Sequence, residues 1–158
     1  MDSIAESMLR SLLAIPVAAL GTLREGAPFV SMVPVVAGPD GTGFLIHVSR
    51  LAQHTRDAMA DPRVSLMLMS PLGKGEDPLA LPRVTLQGEA ELIPADSDTH
   101  TRAAEAYLER FPQAEITLGL GDFSFFLIRP TTGRLVLGFG RALSLDAHQI
   151  QAGLAHIA

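Results

Sequence analysis

The segment FLIHVSRLAQHTRDAMADPRVSLMLM, residues 44–69, decides the fold class of this sequence. A strand is predicted over Gly43–Val48 and a short helix over Leu51–Ala60, because an apolar run gives way to a mixed polar segment. Ser49 is the expected N-cap of that helix. The uninterrupted apolar run Val64–Met69 then predicts a buried strand. Such short elements in succession indicate a protein built mainly from strands.

Other parts of the chain repeat this pattern of short apolar runs separated by turn residues. Gly38-Pro39-Asp40-Gly41 is a strong turn signal. Short turns join neighbouring strands in antiparallel pairs, which do not fit a doubly wound parallel sheet and favour a closed or partly open barrel. The further predicted strands are Val17–Leu23, Phe29–Val36, Arg83–Ile93, Phe123–Ile128 and Arg134–Phe139.

Three longer helices are predicted around these strands. Residues 2–14 have an apolar face at helical spacing, and Ser3 with Glu6 forms a capping-box pattern. A second helix is expected over Asp96–Arg110, capped by Asp96 or Ser97, and a terminal one over Leu145–Ile157.

Composition limits the class of protein. The chain has 158 residues, a formal net charge of −5 and no cysteine, so disulfides and thiolate sites are excluded. It has no Lys/Arg cluster, so we expect no nucleic-acid partner. No apolar run is long enough to cross a bilayer and the N-terminus does not resemble a leader, so we expect no membrane partner and a cytoplasmic protein. By length we expect one domain, residues 1–158.

The apolar content points to self-association. The mean hydropathy is +0.28, which is high for a domain of this size. A small domain buries only part of its surface, and an exposed apolar patch usually marks an interface. We therefore expect a homodimer with two-fold symmetry, using strand faces of the barrel and the helix at Asp96–Arg110.

The predicted strand-to-helix junction at residues 46–56 is a candidate anion site. A helix N-terminus offers free N–H groups and a partial positive charge, which suit a phosphate. The alternative is an ordinary capped helix with solvated charges, and this segment alone favours the alternative. Side chains that add donors or charge here are those of Ser49, Arg50, His54, Thr55 and Arg56.

Other motifs give little support for specific chemistry. Arg83, Thr85, Gln87 and Glu89 share one face of a predicted strand, which either lines a ligand groove or faces water. His47 and His54 have no third ligand at metal spacing, so no zinc site is predicted. The sequence has no G-x-S-x-G elbow, no P-loop and no G-x-G-x-x-G fingerprint.

Several motifs in this order resemble a known family. They are Pro28–Pro34, Ile46–Ser49, Leu51–Asp57, Asp61–Leu66 and Arg83–Ala90. Together they resemble the FMN-binding split-barrel superfamily related to pyridoxamine 5'-phosphate oxidase, over about residues 5–142. Leu51–Thr55, Asp77-Pro78-Leu79 and Gly138–Ala142 are similar to the branch that includes bacterial haem-utilisation proteins.

The resemblance implies a mainly β (α+β) fold, a six-stranded antiparallel Greek-key split β-barrel with flanking helices. It also implies a homodimer with FMN in grooves at the subunit interface. The phosphate would lie near Ser49–Thr55, with His54 at the position of a family lysine, and Arg83 would touch the flavin ring. The implied cofactor-binding residues are Ser31, Met32, Val33, His47, Val48, Ser49, Arg50, Gln53, His54, Thr55 and Arg83.

Three functions follow as alternatives. The first is an FMN-dependent oxidoreductase acting on an unidentified small-molecule substrate. The second is a haem-binding or haem-degrading protein without FMN, with His148 or His156 as the iron ligand. The third is a ligand-free regulatory module, because a fold does not fix a function. The chain has no tryptophan and no Arg-Leu-His-Asp-Arg-like run, so pyridoxamine oxidation is not expected.

Overall fold

A computed structural model describes all residues, 1–158, and its centre is one curved antiparallel sheet. Eight strands pair in the order β2-β1-β5-β6-β7-β4-β3, and β8 pairs with β7. The strands are β1 (Val17–Arg24), β2 (Ala27–Pro34), β3 (Val36–Ala37), β4 (Phe44–Ser49), β5 (Arg63–Met69), β6 (Arg83–Leu92), β7 (Phe123–Gly138) and β8 (Arg141–Asp146).

Five α-helices flank this sheet. They are α1 (Ser3–Leu13), α2 (Gln53–Ala60), α3 (Asp98–Arg110), α4 (Glu115–Leu118) and α5 (Ala147–Leu154). The predicted mainly β split-barrel fold with flanking helices is thus confirmed, and its antiparallel sheet has eight strands where six were expected. None of the helices is long and apolar enough to cross a bilayer.

The two faces of the sheet are covered differently. A core of 25 buried residues lies on one side of the sheet and includes residues of α1, α2 and α5. A smaller core of seven buried residues lies on the other side, where α3 covers β4 and β7. The outer face of β1, β2 and β5 has no helix over it, and Val30, Met32 and Met69 there are 68%, 64% and 48% exposed.

Two predictions about the C-terminal third were wrong. The strands expected at Phe123–Ile128 and Arg134–Phe139 are one continuous strand, β7, because β6 pairs along most of its length. The helix expected from Leu145 begins only at Ala147, since Leu145 still pairs with Gly133 in the sheet. Asp146 caps that helix in a capping box.

Two predicted caps were also wrong. Asp2, not Ser3, caps α1 by accepting a hydrogen bond from the Ala5 amide at 2.9 Å. Helix α2 begins at Gln53, and its N-cap residue is Ala52 rather than Ser49. By contrast, Ser97 caps α3, one of the two residues expected there.

Candidate functional site

Ser49 and Arg50, which were expected to hold a phosphate, are paired with a distant loop. The Ser49 hydroxyl donates to the Asp122 carboxylate at 2.7 Å. The Arg50 guanidinium donates to the Gly121 carbonyl at 2.6 Å, and its amide donates to the Asp122 carbonyl. Both side chains therefore join β4 to the start of β7, and an anion would have to compete with these bonds.

A buried carboxylate anchors α2 to the sheet. Asp57 is 4% exposed and accepts hydrogen bonds from Gln53 at 2.6 Å and from Thr22 at 3.2 Å. Arg24 lies 3.5 Å from the same carboxylate. Burial raises the pKa of Asp57, but the bonds from Gln53 and Thr22 and the charge of Arg24 outweigh burial and lower it. The predicted cofactor contact Gln53 is thus used inside the chain.

His54, in the first turn of α2, contacts β2. Its Nδ1 lies 2.9 Å from the Ser31 hydroxyl. Burial lowers the pKa of His54 below 6.5, and the nearby Asp57 carboxylate only partly opposes this shift. The neutral form of the imidazole is therefore favoured at pH 7, so His54 is a weaker source of positive charge than a lysine at this position.

Thr55 and Val48 border a small cavity inside the half-barrel, together with His54. The cavity measures about 10 Å³, and most of its walls are apolar. Val48, His54 and Thr55 thus lie around one cavity, and Ser31 joins them through its bond to His54, but the cavity is far too small for a flavin ring.

The remaining predicted contacts lie on other surfaces. Met32 and Arg83 are on the outer face of the sheet, whereas Val33 is buried in the main core. Strand alternation explains this split, because neighbouring residues of a strand point to opposite faces. Within one chain, the predicted residues do not converge on a flavin-sized pocket.

His47 lies under α3, away from the interior of the half-barrel. Its ring is 4.4 Å from that of Phe125, 5.1 Å from that of Phe123 and 5.6 Å from that of Tyr107, measured between centroids. Burial, together with the neighbouring His100, lowers the pKa of His47 to about 4. This aromatic surrounding is formed by chain segments distant in sequence, and sequence reasoning missed it.

A groove between α1 and α5 contains both histidines proposed as haem ligands. It measures about 240 Å³, and its lining includes His148, His156, Leu9, Glu6 and Arg10. Arg10 was not predicted as a site residue, because its distance from α5 depends on how α1 and α5 pack together.

The two histidines in this groove differ in their hydrogen bonds. The Nδ1 atom of His156 lies 2.8 Å from the Ala152 carbonyl oxygen. A carbonyl only accepts, so Nδ1 carries the hydrogen and Nε2 keeps a free lone pair in the neutral ring. Metal-binding histidines typically have this arrangement, in which the second ring nitrogen donates to a backbone carbonyl.

Fold and site geometry together define the class of protein. The antiparallel sheet with flanking helices is a split-barrel fold. Residues 4–137 match the family model described as pyridoxamine 5'-phosphate oxidase. The chain belongs to this family.

Three relatives are similar enough to inform function, and all are named for haem. The chain is 39% identical over 118 residues to the non-canonical heme oxygenase HOZ, chloroplastic, of Arabidopsis thaliana, over 75% of this chain. It is 30% identical over 129 residues to the heme oxygenase HutZ of Vibrio cholerae, over 80% of this chain. A structure of a heme binding protein from Mycobacterium smegmatis is 34% identical to this chain, with a TM-score of 0.83. The match covers 96% of this chain.

The relatives differ in length from this chain. The chain spans about a third of the chloroplast protein, 34%, and 71% of HutZ. It matches 61% of the mycobacterial chain.

Proposed function

We propose that this protein binds haem, and that His156 is the iron ligand. The observation that carries this proposal is the hydrogen bond from His156 to the Ala152 carbonyl, which leaves Nε2 free in a groove. The haem-related names of the three similar proteins support the same choice, since haem binding is the step that all three share.

The groove between α1 and α5 has the donors that a haem requires. His156 offers an imidazole nitrogen, Arg10 a guanidinium suited to a propionate, and Leu9 an apolar wall. A bound haem would supply iron-centred redox chemistry, while these side chains would hold and orient it. The groove volume, about 240 Å³, is below the usual range for ligand pockets.

Hemin titration with paired histidine variants tests this proposal. We expect His156→Ala to weaken hemin binding by at least about tenfold and to remove the sharp Soret band, because it deletes the ligand. His148→Ala is the matched control, since it removes an exposed histidine from the same groove and should leave the band unchanged. Absorbance titration measures both.

Two results would contradict haem ligation by His156. One is an unchanged Soret band in His156→Ala. The other is a protein that takes up FMN, showing flavin absorption as purified, and gives only a broad, non-specific band with hemin.

FMN is the second candidate cofactor. Family membership supports it, and so does the start of α2, where no side chain caps the helix and the first N–H groups remain available to an anion. The pairing of Ser49 and Arg50 with the loop before β7, and the neutral His54, weigh against it. For these reasons we place haem first.

We further propose that the protein is a homodimer, joined through the outer face of β1, β2 and β5. This face is apolar and has no helix over it, which agrees with the high mean hydropathy. Pairing across the strands brings Met32 beside Ala19, and Ala19 beside Met67, so the apolar surface is continuous. A second copy of the same face is its proposed occupant.

Charge placed in this face should separate the dimer. We expect light scattering to give about twice 16.8 kDa for the unmodified protein and about 16.8 kDa for Val30→Arg, because the guanidinium would be buried without a partner. Ile116→Arg is the control, since Ile116 is a similarly exposed apolar residue on α4 and not on strands β1, β2 or β5. A Val30→Arg protein that stays dimeric would refute the proposed interface.

A further inference from the structure

Thr55 carries the one buried side-chain polar atom that has no hydrogen-bond partner among the protein atoms. The residue is 1% exposed and sits in the first turn of α2. A buried hydroxyl without a partner is costly, so native proteins nearly always satisfy it with a protein group or an ordered water.

The cavity next to Thr55 has the size of a single water molecule. It measures about 10 Å³, close to the smallest space that holds one water. Its walls are apolar side chains apart from Thr55 and His54, so no other protein group there can satisfy the hydroxyl. The apolar lining consists of Leu20, Ile46, Val48, Ala58, Val64, Ala90, Phe126 and Ile128.

His54 provides the second polar group that a buried water needs. Its Nδ1 is already bonded to the Ser31 hydroxyl at 2.9 Å, which leaves Nε2 for another partner. His54 borders the same cavity as Thr55. When the Ser31 hydroxyl donates to Nδ1, the neutral ring carries its hydrogen on Nε2 and donates from there.

We propose that this cavity is a binding site for one buried water, which accepts a hydrogen bond from Nε2–H of His54 and bonds to the Thr55 hydroxyl. The resulting chain, from Ser31 through His54 and the water to Thr55, fixes His54 in its neutral Nε2–H form. Thr55 is therefore a positioning residue that acts on His54 through the water.

In this arrangement His54 has a structural role. It links α2 to β2 through Ser31. The lowered pKa of His54 agrees with a ring held neutral. The inference concerns the chain's own interior and holds whichever cofactor the protein binds.

The first test uses the unmodified protein. Nuclear Overhauser measurements should show a long-lived water signal at the Thr55 methyl group and the His54 ring. Long-range nitrogen–proton correlation spectra should show His54 as the Nε2–H tautomer. A missing water signal, or an Nδ1–H tautomer, overturns the proposal.

The second test compares two variants of Thr55. Thr55→Val keeps the shape of the side chain and removes the hydroxyl, so the water loses a partner and we expect Tm to fall by about 2–4 °C. The His54 tautomer signal should weaken in this variant, and Thr55→Ser, which keeps a hydroxyl, should restore it. If the hydroxyl has no water, Thr55→Val relieves an unsatisfied group, and a Tm that rises or stays constant with an unchanged tautomer refutes the inference.

Discussion

Acidification from pH 7.5 to pH 4 is expected to lower the free energy of unfolding by about 3 kcal/mol through His47 alone. In the folded protein, burial and the nearby His100 lower the pKa of this ring from 6.5 to about 4. The unfolded chain therefore takes up a proton near pH 6.5, whereas the folded chain resists it until about pH 4. The stability is fully present above pH 6.5 and is lost as the pH falls through this window.

Chemical denaturation at a series of pH values measures this effect. Other groups titrate in the same range, so the comparison is between the unmodified protein and His47→Leu, which lacks the proton site but fills the same apolar surrounding. The difference between their two stability curves isolates His47. Parallel curves between pH 6.5 and pH 4 would show that the ring is not held neutral by burial.

Gly88→Ala is expected to lower the free energy of unfolding by at least about 3 kcal/mol, at the upper end of what overpacking costs. Gly88 lies at the bulge where β6 pairs with the Arg129–Pro130 part of β7. A Cβ atom there would overlap the Arg129 carbonyl oxygen and lie 2.8 Å from the Pro130 Cα atom. These are backbone atoms, so no side-chain rotation can relieve the overlap.

Gly121→Ala provides the matched control for this substitution. A Cβ atom at Gly121 has no neighbour within 4 Å, and its backbone is not in the left-handed region. We expect thermal and urea unfolding to show little change for Gly121→Ala and a large loss for Gly88→Ala. Equal stability of the two variants would mean that β6 and β7 can separate at this bulge at little cost.

The elements with a strong local signal were predicted well. Strands β1, β5 and β6 were found within about a residue of their observed bounds, because alternating or continuous apolar residues between turn signals specify a strand locally. The strands in the last third of the chain were predicted less accurately. Thr132 and Gly133 look like turn residues in the sequence, yet β7 continues through them because β6 and β8 pair on either side.

The same distinction between local signals and long-range pairing applies to the residues of the candidate site. Alternation along β2 and β4 determines that Ser31 and Val48 face the interior, and this is encoded in each strand. The bond between Ser49 and Asp122 joins residues 73 positions apart, and it depends on β4 and β7 being neighbours. No local pattern in the sequence contains that information.

The sequence by itself determined the antiparallel, mainly β architecture and the family likeness, because both follow from local periodicity, turn residues and ordered motifs. Tertiary structure alone decided which side chains are free to act. It paired Ser49 and Arg50 with the loop before β7, neutralised His54 by burial, and oriented His156 through the Ala152 carbonyl. A residue's charge and available lone pairs depend on neighbours that the order of strands and helices brings close, so they become visible only in the folded chain.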